Sequence, residues 1–64
     1  MKQVKYISKI FYNSVGGYLQ ASCYAKENNM KLVTTEEEFS NNNKRYRENG
    51  TIPEYYMFIF ETYI

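Results

Sequence analysis

Residues 55–64 read YYMFIFETYI, aromatic or aliphatic at every position except Glu61 and Thr62, and the rest of the chain must attach to them. In an extended chain successive side chains point to opposite faces. Tyr56, Phe58, Phe60 and Ile64 then form one row, and Tyr55, Met57, Ile59, Glu61 and Tyr63 form the other. Both rows are adhesive. The Phe row is the better core face, because Glu61 on the other row is costly to bury without a partner. The Tyr/Met/Ile row is left as a surface that needs a partner or a second covering layer.

Upstream of this strand the signal is helical. Thr35-Glu36-Glu37-Glu38 fits a capping box, in which the Thr hydroxyl takes an orphan amide and the third Glu reaches back to the cap. The three Glu open the helix and Lys44, Arg45 and Arg47 lie near its end, each set opposing the macrodipole. Asn49-Gly50 stops it and Pro53 prevents its renewal. Its middle, Ser40-Asn41-Asn42-Asn43, has poor propensity, and the apolar stripe shrinks to Phe39 and Tyr46, so this helix is expected to dock through two rings. A rival reading takes Asn49-Gly50 as a hairpin turn into the final strand.

At the other end, Lys2 to Ser14, KQVKYISKIFYNS, is rich in β-branched and aromatic residues and reads as a strand. Val15-Gly16-Gly17-Tyr18 follows, and Gly-Gly is a favoured two-residue hairpin loop. With Val15 opposite Tyr18, Val4, Tyr6, Ile10, Tyr12, Leu19, Ala21, Cys23 and Ala25 share an apolar face. Lys5, Lys9 and Lys26 then share the other with Ile7, Phe11, Tyr18 and Tyr24. The alternative makes Tyr18 to Asn28 a helix, with Asn28 or Asn29 as its stop and small residues Ala21, Cys23 and Ala25 set close to the sheet. Met30 to Val33 reads as a short edge strand, placing Lys31 opposite Lys26 if it joins the hairpin, a mildly unfavourable pair.

The expected fold is therefore a single small α+β domain over residues 1–64. Its sheet is three- or four-stranded and mainly antiparallel, with one helix on one face, in the order β-β-(β)-α-β; the alternative order is β-α-β-α-β. A chain of 64 residues buries only about 60% of its unfolded surface, so a partner or a second copy would help to stabilise it. Eight Tyr and four Phe are how so short a chain fills a core, and Tyr also suits interfaces by joining a large ring to a polar tip.

Composition narrows the function classes. Eight Lys and Arg against seven Glu give a net charge of +1, which argues against a strongly basic nucleic-acid binder and against an acidic mimic of DNA. With no His and no Asp, there is no imidazole base, no Ser/His pair and no histidine metal ligand. The single cysteine, Cys23, cannot form an internal disulfide and fits a reducing compartment. It is expected to be a buried thiol, with no neighbouring cation to activate it.

Lys2 and Lys5 ahead of IFYNSVGGYLQASC have the outline of a lipoprotein signal. Lys9 interrupts its apolar run, however, Asn13 and Ser14 dilute it, and Leu19 stands one position too far from Cys23. No run approaches the length of a membrane span. A cytoplasmic location is expected. The preference for Lys, Asn, Tyr and Ile, whose codons are AT-rich, points to a low-GC bacterium or its phage, with the host cytoplasm as the site of action in the second case.

No constellation carries catalysis. Glu36, Glu37 and Glu38 point in three directions on a helix, and Gly16-Gly17 lacks the spacing of a phosphate-binding loop. An enzyme is not expected, nor a cofactor or metal. The leading expectation is a small protein-binding module, a phage or mobile-element inhibitor or modulator that sterically masks a host enzyme or defence complex. Its contacts would be Tyr55, Met57, Ile59, Tyr63, Phe11 and Tyr24. A homodimer hiding the same surface, or pairing strand edges across a two-fold axis, is the simpler use of it. The alternative function is a nucleic-acid-binding accessory protein using a Lys/Tyr face, with contacts from Lys5, Lys9, Lys26, Lys44, Arg45 and Arg47.

Overall fold

In a computed structural model that describes residues 3–64, the chain runs β1 (Val4–Tyr12), α1 (Val15–Glu27), β2 (Lys31–Leu32), α2 (Glu36–Glu48) and β3 (Tyr55–Tyr63). The sheet order is β1-β3-β2, and β3 is antiparallel to both neighbours. This is a small α+β fold with a mainly antiparallel sheet, in the β-α-β-α-β order that stood as the alternative. Two helices, not one, occupy a single face of the sheet. Their side chains Ala21, Ala25 and Phe39 form one core with Tyr56, Phe58 and Phe60 of β3.

The Gly-Gly hairpin does not form, and two local causes favour a helix there. Ser14 has extended backbone and caps α1, its Oγ accepting from the Gly17 N–H at 3.0 Å. Gly17 then lies so close to β1 that a Cβ on it would stand 1.7 Å from the carbonyl oxygen of Tyr12. The second glycine is needed for close approach, not for a turn. Gly17, Ala21 and Ala25 are the buried residues of α1 and recur every fourth position, so a strip with almost no side chain lies against the sheet, Gly17 on β1 and the two alanines in the core with the rings of β3. Cys23 lies off this strip and is exposed, contrary to the expectation of a buried thiol.

At the end of α1, Asn29 takes a left-handed φ of 54°. The Met30 N–H reaches back to the Ala25 carbonyl at 2.8 Å, closing the helix and turning the chain into β2. β2 is the expected short edge strand, but it pairs with β3. Lys31 consequently stands opposite Glu61 and not Lys26, an opposite-charge pair where a like-charge pair was feared. Past Leu32 the ladder is finished by mixed bonds: the Val33 N–H donates to the Ile59 carbonyl at 2.8 Å, and the Ile59 N–H donates to the hydroxyl of buried Thr34 at 3.0 Å.

α2 follows the expected outline. Thr35 Oγ1 accepts from the Glu38 N–H at 3.1 Å. Asn49 caps the other end, and Gly50, at φ 73°, lets the Thr51 N–H reach the Tyr46 carbonyl at 3.0 Å. Phe39 is buried and stacks on Phe58 with centroids 5.6 Å apart, while meeting Tyr56 edge-on at 5.0 Å. Tyr46 is half-buried against the same cluster.

The asparagine run, poor in helix propensity, supplies polar ties. Asn42 Nδ2 donates to the Tyr56 phenol at 2.6 Å. Asn43 donates to the Phe39 carbonyl at 3.0 Å and accepts from Asn13 Nδ2 at 2.6 Å. Thus α2 is held by two rings and three amides, which compensates for its thin apolar stripe.

Candidate functional site

Because both helices lie on one side, no element among the described residues covers the other side of the sheet. The β1–β3 register places five cross-strand pairs on it: Val4 with Tyr63, Tyr6 with Glu61, Ser8 with Ile59, Ile10 with Met57 and Tyr12 with Tyr55. Tyr6, Ile10, Tyr12, Tyr55, Met57 and Tyr63 are each at least half exposed, from 50% at Tyr55 to 65% at Ile10, and Val4 is 44% exposed. Contiguous apolar exposure of this kind makes the face a candidate interaction surface. Ile59 is only half-buried at the centre of the patch.

One end of the face is organised by two phenols. Tyr12 and Tyr55 stack with centroids 5.2 Å apart and an interplanar angle of 23°. The Tyr55 phenol is held above its ordinary pKa of 10.0, first by the charge the neighbouring Tyr12 would carry, then by Glu54 and by its hydrogen bond to Tyr12. The Tyr55 phenol therefore keeps its proton at neutral pH. Glu61 and Lys31, which are partners in register, are the ionisable carboxylate and ammonium among the described strand residues of this face. Their signs cancel, so the patch presents rings and methyl groups in a nearly neutral field.

Four of the residues expected at an interface, Tyr55, Met57, Ile59 and Tyr63, lie on this face. Phe11 and Tyr24 do not. Phe11 stands 6.0 Å from Tyr24 and 6.0 Å from Phe58, and Tyr24 stands 5.3 Å from Phe60, all on the helical side. The open face instead gains Val4, Tyr6, Ile10 and Tyr12, which the hairpin register had turned inward.

Binary pattern misleads in β1. The row Val4, Tyr6, Ser8, Ile10, Tyr12 has no charge, whereas the row Lys5, Ile7, Lys9, Phe11 has two, yet the second row faces the helices. It can do so because the lysines lie at an edge and extend past the helices into water. Lys9 Nζ rests 4.8 Å from the centroid of the Tyr24 ring. The pairing of β1 with β3, rather than with residues 18–26, is the signal that would have placed these residues correctly.

The six cationic residues expected to contact nucleic acid are displaced from the aromatic face. Lys5 and Lys9 point to the helical side of β1 by register, Lys26 is in the last turn of α1, and Lys44, Arg45 and Arg47 lie on α2. Elsewhere, a shallow hollow of about 350 Å³ lies between the start of α1 and α2, lined by Asn13, Phe39, Ser40, Asn43, Arg47 and Ile52 among others. It holds one cation and no carboxylate, a poor set for acid–base chemistry. Among the described residues, no three His, Cys, Asp or Glu side chains come together to hold a metal ion. Nor is any described helix long and apolar enough to cross a membrane. Compared with protein-family models, with curated proteins and with solved structures, the chain finds no match.

Proposed function

We propose that this chain is a protein-binding module that acts by laying the open face of its sheet over a target protein. The observation that carries the proposal is the uncovered row pair that holds Ile10 and Met57 with Tyr6, Tyr12, Tyr55 and Tyr63. Large rigid rings with polar tips, set in a nearly neutral field, match the anchors that dominate protein interfaces. Binding of this kind occludes whatever surface it covers. That is the mode of a small inhibitor or modulator, and a host enzyme or defence complex is the target class, with a phage or mobile element as the source. A nucleic-acid role draws less support, because Lys31 is the one cation among the described strand residues of the open face, and phosphate contacts would have to come from elsewhere.

The test is capture of partners from a low-GC bacterial lysate after nuclease treatment, using the intact protein beside two variants. A stoichiometric protein partner should be retained by the intact chain and by the triple change Lys44→Gln, Arg45→Gln, Arg47→Gln, and lost with Ile10→Asp. Retention by Ile10→Asp, or capture that requires nucleic acid and the basic residues of α2, would overturn the proposal.

A further inference from the structure

The two edges of the sheet differ in what they leave unpaired. β2 is two residues long, whereas β1 presents nine residues on the outer edge. The direction of its backbone groups follows from the ends of the β1–β3 ladder. The Gln3 carbonyl accepts from the Ile64 N–H at 3.1 Å, and the Asn13 N–H donates to the Glu54 carbonyl at 2.9 Å. Hydrogen-bonded pairs recur at every second residue of an antiparallel ladder. Odd-numbered residues of β1 thus turn their backbone groups toward β3, and Val4, Tyr6, Ser8, Ile10 and Tyr12 turn theirs outward. A long edge of free donors and acceptors is a template for another strand.

We infer that the occupant of this edge is β1 of a second copy of the chain, paired antiparallel across a two-fold axis that passes through Ser8, perpendicular to the sheet. Such an axis keeps the same face upward in both copies, so each residue must meet one of its own parity. Centred on Ser8, the pairing uses all of Val4–Tyr12: Val4 meets Tyr12, Tyr6 meets Ile10, and Ser8 meets itself. On the helical side Lys5 meets Phe11 and Lys9 meets Ile7, so no lysine stands opposite a lysine. Moving the axis to Ile7 sets Lys5 against Lys9, and moving it to Lys9 sets that residue against its own copy, both destabilising. Moving it further, to Tyr6 or Ile10, leaves four strand residues of each copy outside the pairing. One register is therefore selected by both charge and length.

In that register every outward-facing residue exchanges both of its backbone hydrogen bonds with the second copy. Aliphatic side chains meet aromatic ones on the open face, and the lysine stems cover Phe11 and Ile7. The product is one six-stranded sheet built from two three-stranded ones, with the two open faces joined into a single continuous surface. This goes beyond the proposed binding role, since it uses the edge of the sheet and not its face.

The experiment is sedimentation of the intact chain across a concentration series, with amide hydrogen exchange read residue by residue by NMR. A dimer is expected, in which the Tyr6, Ser8 and Ile10 amides are protected at high concentration and exchange rapidly on dilution, while those of Ile7 and Lys9 stay protected throughout. Ser8→Pro removes an outward N–H from an edge strand, a position where proline is tolerated, and should yield a folded monomer. Should that variant unfold, the exchange pattern of the intact chain still decides. A monomeric intact chain with fast exchange at Tyr6, Ser8 and Ile10 overturns the inference. So does a dimer that persists in folded Ser8→Pro but is lost in Ile10→Asp, which would be a face-to-face association.

Discussion

The two rows of β3 differ little in apolar content and greatly in fate. Tyr56, Phe58 and Phe60 are 8%, 0% and 0% exposed, while Tyr55, Met57 and Tyr63 alternate with them and are 50%, 59% and 56% exposed. Hydrophobicity alone does not separate the rows. What separates them is fit: three phenyl-type rings are met by the small-residue strip of α1 and by Phe39 of α2, and a bulkier or charged row could not pack so closely. The row left outside carries two phenols, Tyr55 and Tyr63, which remain hydrated at little cost until a partner displaces the water.

The largest break in this comparison comes from truncating one residue of each row. Phe58→Ala should cost about 3–5 kcal/mol in denaturant unfolding, enough to unfold a domain of this size. Met57→Ala, one residue away, should change stability by no more than about 0.5 kcal/mol. A comparable loss at Met57 in dilute protein would mean that the open face is covered within the chain itself, contrary to its exposure.

The glycine pair sharpens the same contrast on the helical side. Gly17→Ala forces a methyl group into the Tyr12 carbonyl and should destabilise by about 1–3 kcal/mol. Gly16→Ala meets nothing closer than the Ser14 hydroxyl at 3.6 Å and should raise stability by about 0.5–1 kcal/mol, as expected within a helix. Thermal unfolding of the two variants distinguishes this helix from a hairpin turn, where neither residue would show this asymmetry.

Smaller effects separate the hydroxyls of the two rows. Tyr56→Phe deletes the acceptor of the Asn42 amide and should cost about 1 kcal/mol. Tyr55→Phe, on the exposed row, should be close to neutral at pH 7.

The smallest effect is a pH dependence. The Tyr55 pKa is raised in the folded chain, so the unfolded state loses that proton first as pH increases. Its contribution to stability is fully present below pH 10 and is lost as pH rises through the folded pKa. Denaturant titrations from pH 9 to 12 should show this loss in the intact chain and a weaker one in Tyr12→Phe.

Much of this architecture is legible in the residues themselves. β3, its inward Phe row, the capped α2 and its Asn49-Gly50 stop all follow from local signals, because alternation, capping boxes and left-handed glycines act within a few residues. Tyr55, Met57, Ile59 and Tyr63 were placed on the open face for the same reason. Gly16-Gly17 misled because the same pair serves a turn and a close helix approach, and only the position of Tyr12 in space tells them apart. Taken as a turn, the pair implies a register that points Tyr6, Ile10 and Tyr12 inward and Phe11 and Tyr24 outward. Ile64 shares the parity of the core row but is 80% exposed, at the last hydrogen bond of the β1–β3 ladder. Long-range pairing is what local pattern lacks, and here it decides half of the candidate site.

The central place of β3 also constrains how the protein comes to exist. It is the last element to be synthesised, yet β1 and β2 have no contact in the ladder except through it. While residues 55–63 are still inside the ribosome, β1 and β2 lack their shared partner, and α1 and α2 lack the three inward rings of β3. The emerging chain must therefore remain without a sheet until its final strand is free, and then close its most distant contacts at once. Sheet formation is set by this long-range search, not by the rate at which the helices form.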